Sequence, residues 1–179
     1  MNEIDHDSIF AAYDSFINDA SMDQVMQAAT WYSEAQAFAQ TLAIRHSISL
    51  DCAAGIIAAF SPRTKWASNM VNAELFLSEE LVPTLGNNIK MATAVHNTNS
   101  IKALKGRKTN SFARNIAGDM SVVTIDVWMI RAAGYDRLDA NKGMYDLMET
   151  VIQELAFIYS VQPAQLQALI WIVVRGSNA

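Results

Sequence analysis

The stretch that most constrains the fold is LDCAAGIIAAF, residues 50–60, which is apolar apart from one aspartate and one glycine. Ser49 precedes it as a helix N-cap, and Pro62 follows it at a point where a helix cannot continue. A helix that is apolar on every side must be buried, so other elements have to cover it. Glycine and proline are scarce, at 7 and 3 of 179 residues, which favours helices over a fold of strands and turns.

Capping residues and apolar periodicity divide the rest of the chain into further helices. Ser21 with Gln24 forms a capping box, Gly118 and Gly176 are typical helix ends, and Pro163 is typical of a helix start. The expected fold is all-α, a single domain over residues 1–179 with about nine helices and no sheet. N-terminal helices are expected in residues 1–48, and the main helical part of the domain in residues 50–176. The predicted helices cover residues 21–46, 50–60, 64–77, 86–97, 109–117, 127–133, 144–158 and 163–175, with a single turn at 100–104 and a loop at 134–143.

Cysteine and histidine usage argues against a metal centre. Cys52 is the single cysteine, so an internal disulfide and an iron–sulfur cluster held by this chain are excluded. His6, His46 and His96 lie far apart without ligand spacing. We therefore expect no metal and no cofactor. The acidic start MNEIDHDS is not a secretory signal, and the apolar stretches are too short to span a bilayer. An intracellular protein without a membrane partner is expected.

The charge is unevenly distributed. The formal net charge is −5, yet the segment 90–131 holds seven basic and two acidic residues, which leaves −10 on the remainder. This asymmetry predicts one basic face on an acidic body, suited to a polyanionic partner. The alternative is a set of scattered, solvated lysines.

Two residues within this segment are candidates for chemistry. Lys108 follows Gly106 and Arg107 at a predicted helix start, where the partial positive charge disfavours an ammonium and favours a nucleophilic amine. The same N-terminus is suited to binding a phosphate. Asp126 ends the apolar run VVTI and opens the next helix. It is either only an N-cap or a partly desolvated carboxylate at a cleft, suited to stabilising positive charge or activating water.

The order of these pieces resembles a known family. LKGRKTNSFARNI followed by VVTIDVWMIRAAG is similar to the helix-hairpin-helix (HhH-GPD) DNA glycosylases of the endonuclease III and 8-oxoguanine glycosylase type. IIAAFSPRTKWASNMVNAELFL, GNNIKMATAVHN and VQPAQLQALIWIVVRG extend the resemblance over residues 50–176. The hairpin LKGRK is two residues shorter than the family's pattern, and DVW replaces Asp-Thr-His. The chain also resembles small uncharacterised phage proteins that share several of these motifs.

The resemblance implies roles for individual residues. Lys108 matches the lysine that attacks the sugar C1′, and Asp126 matches the aspartate that supports departure of the base. Other matching positions imply contacts to the DNA backbone and to a flipped base in duplex DNA. The expected DNA-binding residues are Arg63, Lys105, Gly106, Arg107, Thr109 and Arg114, and the expected base pocket consists of Trp66, Asn69 and Trp128.

Several of these positions also have plainer interpretations. Arg63 is equally suited to an exposed loop, and Asn69 could simply tie down that loop. Trp66 and Trp128 could belong to the hydrophobic core. Trp171 is expected in the core, as tryptophan in a helical protein usually is.

Three functions follow from the resemblance. The first is a glycosylase that removes a damaged or modified base, in the cytoplasm of a bacterial host if the gene belongs to a phage. The second is a transferase on the same fold that decorates hydroxymethylated pyrimidines in DNA. The third is a non-enzymatic DNA- or protein-binding antidefence factor. The oligomeric state is left open.

Overall fold

A computed structural model describes residues 5–135 and 142–176. Within those ranges the chain forms nine α-helices and one 3-10 helix, without a β-strand, which confirms the all-α prediction. The α-helices, α1 to α9 in chain order, are His6–Asn18, Met22–Arg45, Leu50–Phe60, Trp66–Leu77, Gly86–Thr98, Arg107–Ala117, Val127–Ala132, Lys142–Ile158 and Pro163–Arg175, and the 3-10 helix is Ile101–Ala103.

The chain divides into two compact units. Unit 1 comprises Met1–Trp31 and Met120–Ala179, and unit 2 comprises Tyr32–Asp119. Each has its own hydrophobic core. A single domain over residues 1–179 stays a prediction.

Unit 2 is built around α3. Every residue from Cys52 to Phe60 is buried, as the apolar sequence of this helix requires, because α4, α5 and α6 pack against it. Gly55 faces Val95 of α5 so closely that a Cβ at Gly55 would lie 2.7 Å from the Val95 Cγ1. The missing side chain therefore allows α3 and α5 to approach each other.

Unit 1 packs α1, α8 and α9 against one another, with α7 against α9. Its fully buried side chains include Ile9 and Tyr13 of α1, Met129 of α7 and Leu155 of α8. This packing holds the beginning of α7, where Asp126 lies, against the last helix of the chain.

Most of the predicted helix boundaries are confirmed, because their signals are local. Ser49 accepts a hydrogen bond from the Cys52 N–H (3.0 Å), and Ser21 and Gln24 form the reciprocal capping bonds. Gly118 ends α6 with a left-handed φ of 107°. The helix predicted from residue 64 begins at Trp66, and the one predicted from residue 109 begins at Arg107.

Other expectations differ from the structure. The helix α1 was not located from the sequence, although Asp5 caps it by accepting from the Ser8 N–H. The spacing of Met144, Leu147, Val151, Leu155 and Ile158 predicts one apolar stripe along α8. Ile158 is instead 61% exposed, and Met148 and Ile152 belong to the buried face with Leu155. The predicted loop at 134–143 lies mostly outside the described residues.

No single helix in residues 5–135 and 142–176 is both long and apolar enough to cross a bilayer. Two bent helix pairs meet that criterion only when each pair is taken together, by length and composition.

We expect unit 1 to lose some stability as the pH rises through the titration of His6. This α1 histidine lies 3.1 Å from an Asp7 oxygen and 2.8 Å from a Glu154 oxygen of α8, and these hydrogen bonds raise its pKa above the usual 6.5. The interaction of protonated His6 with the two carboxylates contributes its full stabilisation below pH 6.5, the usual pKa of histidine. This contribution is lost as the pH rises through the raised pKa of the folded state. Thermal melting at about pH 5.5 and about pH 8 should show a difference that is smaller in His6→Gln. An identical difference in both proteins would contradict this assignment.

Candidate functional site

Asp126 is fixed in place by three N–H groups. It is the N-cap of α7, and its Oδ1 accepts from the backbone N–H of Trp128 (2.8 Å) and of Met129 (3.1 Å). Its Oδ2 accepts from the indole Nε1–H of Trp171 on α9 at 3.1 Å. The carboxylate is partly buried. The capping role is thus confirmed, while the remaining oxygen is oriented by a side chain from another helix.

Two arginines stack on the indole rings of Trp128 and Trp171, the residues whose N–H groups bond this carboxylate. The guanidinium of Arg175 lies 4.4 Å from the ring centroid of Trp171 and 5.5 Å from that of Trp128. The Arg131 guanidinium lies 5.1 Å from the Trp128 ring. Together, Asp126, Trp128, Trp171 and Arg175 form what we name the Asp126 cluster. Within it the cation–π contacts hold both indoles in place.

The interior behind Asp126 holds a buried tyrosine. Tyr13 of α1 is fully buried and donates to the Met129 carbonyl at 3.0 Å. Burial raises the pKa of this tyrosine, and the Asp126 charge raises it further. The phenol therefore stays neutral, and it fixes the first turn of α7 from the inside.

Sequence reasoning missed Arg131, Arg175 and the polar role of Trp171. Trp171 is partly buried beside Trp31, with ring centroids 5.4 Å apart, so the expected core position is only part of its role. Trp171 and Arg175 are four residues apart on α9, and Trp128 and Arg131 are three apart on α7. Such spacings bring a cation beside a ring on one helix face, so this signal was present in the sequence.

In unit 2, four of the predicted DNA-binding residues lie at the start of α6, namely Lys105, Gly106, Arg107 and Thr109. Gly106 is the N-cap and provides no side-chain cap, with φ −73°, a value that any residue adopts. A Cβ there would meet only the Thr109 Oγ1 within 4 Å, at 3.8 Å. The Lys105 ammonium donates to the Lys102 carbonyl at 3.4 Å. Arg107 is exposed, while Lys108 is partly buried in the first turn.

Arg114 forms an ion pair within the protein. Its guanidinium donates from Nε to the Asp119 carboxylate at 3.1 Å, and its Nη2 bonds the same oxygen. Contact with a DNA phosphate would compete with this ion pair. Its DNA-binding role stays a prediction.

Arg63, Trp66 and Asn69 lie at the start of α4, also in unit 2. Arg63 is exposed and has a left-handed φ of 60°. Trp66 contacts the ring of Phe112 edge to face, with centroids 6.4 Å apart. Asn69 is 1% exposed, and its Oδ1 has no hydrogen-bond partner among the described residues. An orphaned buried amide oxygen costs about 1–3 kcal/mol unless a ligand or water satisfies it.

The eleven residues predicted for the site fall into both units. Unit 1 carries Asp126 and Trp128, and unit 2 carries the other nine, including Lys108. The described residues contain no group of three or more histidine, cysteine, aspartate or glutamate side chains that could hold a metal ion.

Comparison with known proteins yields a family. Neither the curated proteins nor the solved structures contain a significant match to the sequence. One family model matches residues 4–178, almost the entire chain, and it is described as a family of unknown function. The chain therefore belongs to the family DUF7178.

Proposed function

We propose that the protein is a DNA glycosylase-like enzyme of the HhH-GPD type, which removes a damaged or modified base that is flipped out of duplex DNA. The observation that carries the proposal is the Asp126 carboxylate, which is partly buried and oriented by three N–H donors. A charge held by fixed dipoles needs no reorganisation when positive charge develops opposite it.

The chemistry assigns one task to each of two residues. The C1′–N bond breaks, its electron pair leaves with the base, and positive charge develops on the sugar. Asp126 stabilises that charge. The Lys108 amine attacks C1′ to form a C–N bond, and one amine proton passes through solvent to the departed base. The C1′–O4′ bond then breaks, O4′ takes the second amine proton, and the product is an imine between Lys108 and the opened sugar.

The start of α6 supports a DNA-binding role for unit 2. Its first-turn N–H groups have no side-chain cap at Gly106, and the open space around that residue allows a phosphate to approach the backbone. Lys105 and Arg107 are exposed beside it and add positive charge. Phosphate contacts of this kind position the duplex without reading its sequence.

Two side chains support recognition of a flipped base. The unpartnered Asn69 Oδ1 would accept from an N–H on the edge of a base. The Trp128 ring offers a face for stacking, but a base there would compete with the guanidinium groups of Arg131 and Arg175. We therefore assign edge recognition to Asn69 and leave stacking to the ring of Trp66.

Base release from modified duplexes tests the proposal. Duplexes that carry candidate bases, including hypermodified phage DNA, are incubated with the wild type, Lys108→Gln and Lys102→Gln. Lys102 is an exposed lysine of the same unit outside the predicted site, so its variant is a matched control for lost charge. We expect release by the wild type and the control, and a loss of about 100-fold in Lys108→Gln.

Other outcomes would favour the alternatives. Transfer of a small amine to modified DNA without base release would favour the transferase. Binding of DNA without any chemistry would favour a non-enzymatic binder, and failure to bind DNA at low salt would contradict both enzyme proposals.

A further inference from the structure

Unit 2 contains an open groove that the site described above does not use, apart from Arg63. Its volume is about 1020 Å³, and it lies between the start of α4 and the segment 81–85. Two of its lining residues, Arg63 and Lys65, are exposed cations, and none of the residues that line it is acidic. The groove is therefore electrostatically suited to an anion.

Two helices begin at this groove. Lys65 is the N-cap of α4 and Leu85 is the N-cap of α5, both line the groove, and neither N-cap makes a side-chain capping bond. The first-turn N–H groups of a helix have no intrahelical acceptor and carry partial positive charge. Two such N-termini add to the charge of Arg63 and Lys65.

Asn72 provides independent support for a ligand. It is only 5% exposed, it lines the groove, and its side-chain amide forms no hydrogen bond among the described residues. Lys65, Ser68 and Asn72 have the spacing that places side chains on one face of a helix. Because the Asn72 side chain lines the groove, its amide can donate to a ligand there and accept from it.

The rim of the groove is apolar. Val71 is 56% exposed and Leu85 is 48% exposed, and Val82 and Pro83 lie beside them. A ligand that fills the groove thus needs a charged end for the cations and a flat or apolar part for the rim.

We propose that this groove binds the phosphate of a nucleotide, held by Arg63, Lys65 and the N-termini of α4 and α5. The Asn72 amide bonds to the nucleotide, and the rings of the nucleotide lie against the apolar rim. The phosphate belongs to a free nucleotide or to the backbone of single-stranded DNA. The proposal stands independently of the chemistry assigned to Lys108 and Asp126.

Calorimetric titration tests the proposal and separates the two sources. The probes are thymidine 5′-monophosphate, thymidine and a short oligothymidine, each added to the full chain. We expect Arg63→Gln and Lys65→Gln each to weaken phosphate binding about tenfold, and Lys102→Gln to change it less than about twofold. Thymidine should bind at least about tenfold more weakly than its monophosphate.

The pattern of binding identifies the source. Binding of the monophosphate that depends on Arg63 and Lys65 assigns the groove to a free nucleotide. Binding of the oligothymidine alone, with the same dependence, assigns it to a DNA backbone. Three results would overturn the proposal: a loss of affinity in Lys102→Gln as large as in Arg63→Gln and Lys65→Gln, an affinity for thymidine equal to that for its monophosphate, or no binding of any probe.

A second variant separates binding from folding. Asn72→Leu removes the unpartnered amide but keeps the side-chain volume, so it should melt at the same temperature as the wild type or higher and yet bind the nucleotide more weakly. A lower melting temperature with unchanged binding would show that Asn72 serves the fold alone and would overturn its assigned role.

Discussion

Asp126→Asn is expected to remain folded and to lose base release by about 100-fold or more. Asparagine is about as good an N-cap as aspartate, so the bonds from the N–H groups of Trp128 and Met129 are kept. The negative charge that stabilises the sugar is lost. The NH2 group of the new asparagine would also face the indole N–H of Trp171, so the hydrogen bond to Trp171 is lost. This loss costs about 1 kcal/mol of stability.

Asp126→Ala is the comparison that separates capping from chemistry. It removes the cap and leaves the Trp171 N–H without its acceptor, so we expect a loss of about 2 kcal/mol in the free energy of unfolding. Chemical denaturation of both variants measures this difference. If the asparagine variant released base at the wild-type rate, Asp126 would be a cap and nothing more.

Gly55→Ala is expected to destabilise unit 2 by about 1–3 kcal/mol, even though alanine is the better helix former. The new methyl would lie 2.7 Å from the Val95 Cγ1, and Ile101 stands next to it at 3.6 Å. Val95 is fully buried, so it cannot move away cheaply. Chemical denaturation of the single variant gives the size of the effect.

The double variant Gly55→Ala with Val95→Ala provides the control. Shortening Val95 makes room for the methyl, so the two changes together should cost less than the sum of their separate costs. A Gly55→Ala protein that is more stable than the wild type would show that helix propensity outweighs packing at this position.

Helix boundaries could be predicted from the sequence because capping is local. Ser49 and Gly118 act within a few residues of themselves, and both are helix caps in the structure. The pattern at α8 was less reliable, since Met148 and Ile152 share the buried face and Ile158 at the helix end does not. Helical periodicity alone does not tell which apolar residues of α8 face the core, because that depends on how α1 and α9 pack against it.

The Asp126 cluster could be predicted only in part. The capping role of Asp126 was visible, but its bond to Trp171 joins residues 45 positions apart and depends on how α9 packs. The unpartnered Oδ1 of Asn69 is also a tertiary property, because no sequence pattern tells whether a buried amide oxygen finds a donor. Polar contacts between residues far apart in the chain could therefore not be predicted from the sequence.

The most direct test of the proposed chemistry is to map a borohydride-trapped DNA adduct by mass spectrometry. The proposal requires the imine at the Nζ of Lys108, so reduction should leave the sugar on the peptide that contains this lysine, and Lys108→Gln should form no adduct. An adduct on another lysine, or base release by the wild type with no adduct at all, would contradict the assignment of Lys108 as the nucleophile.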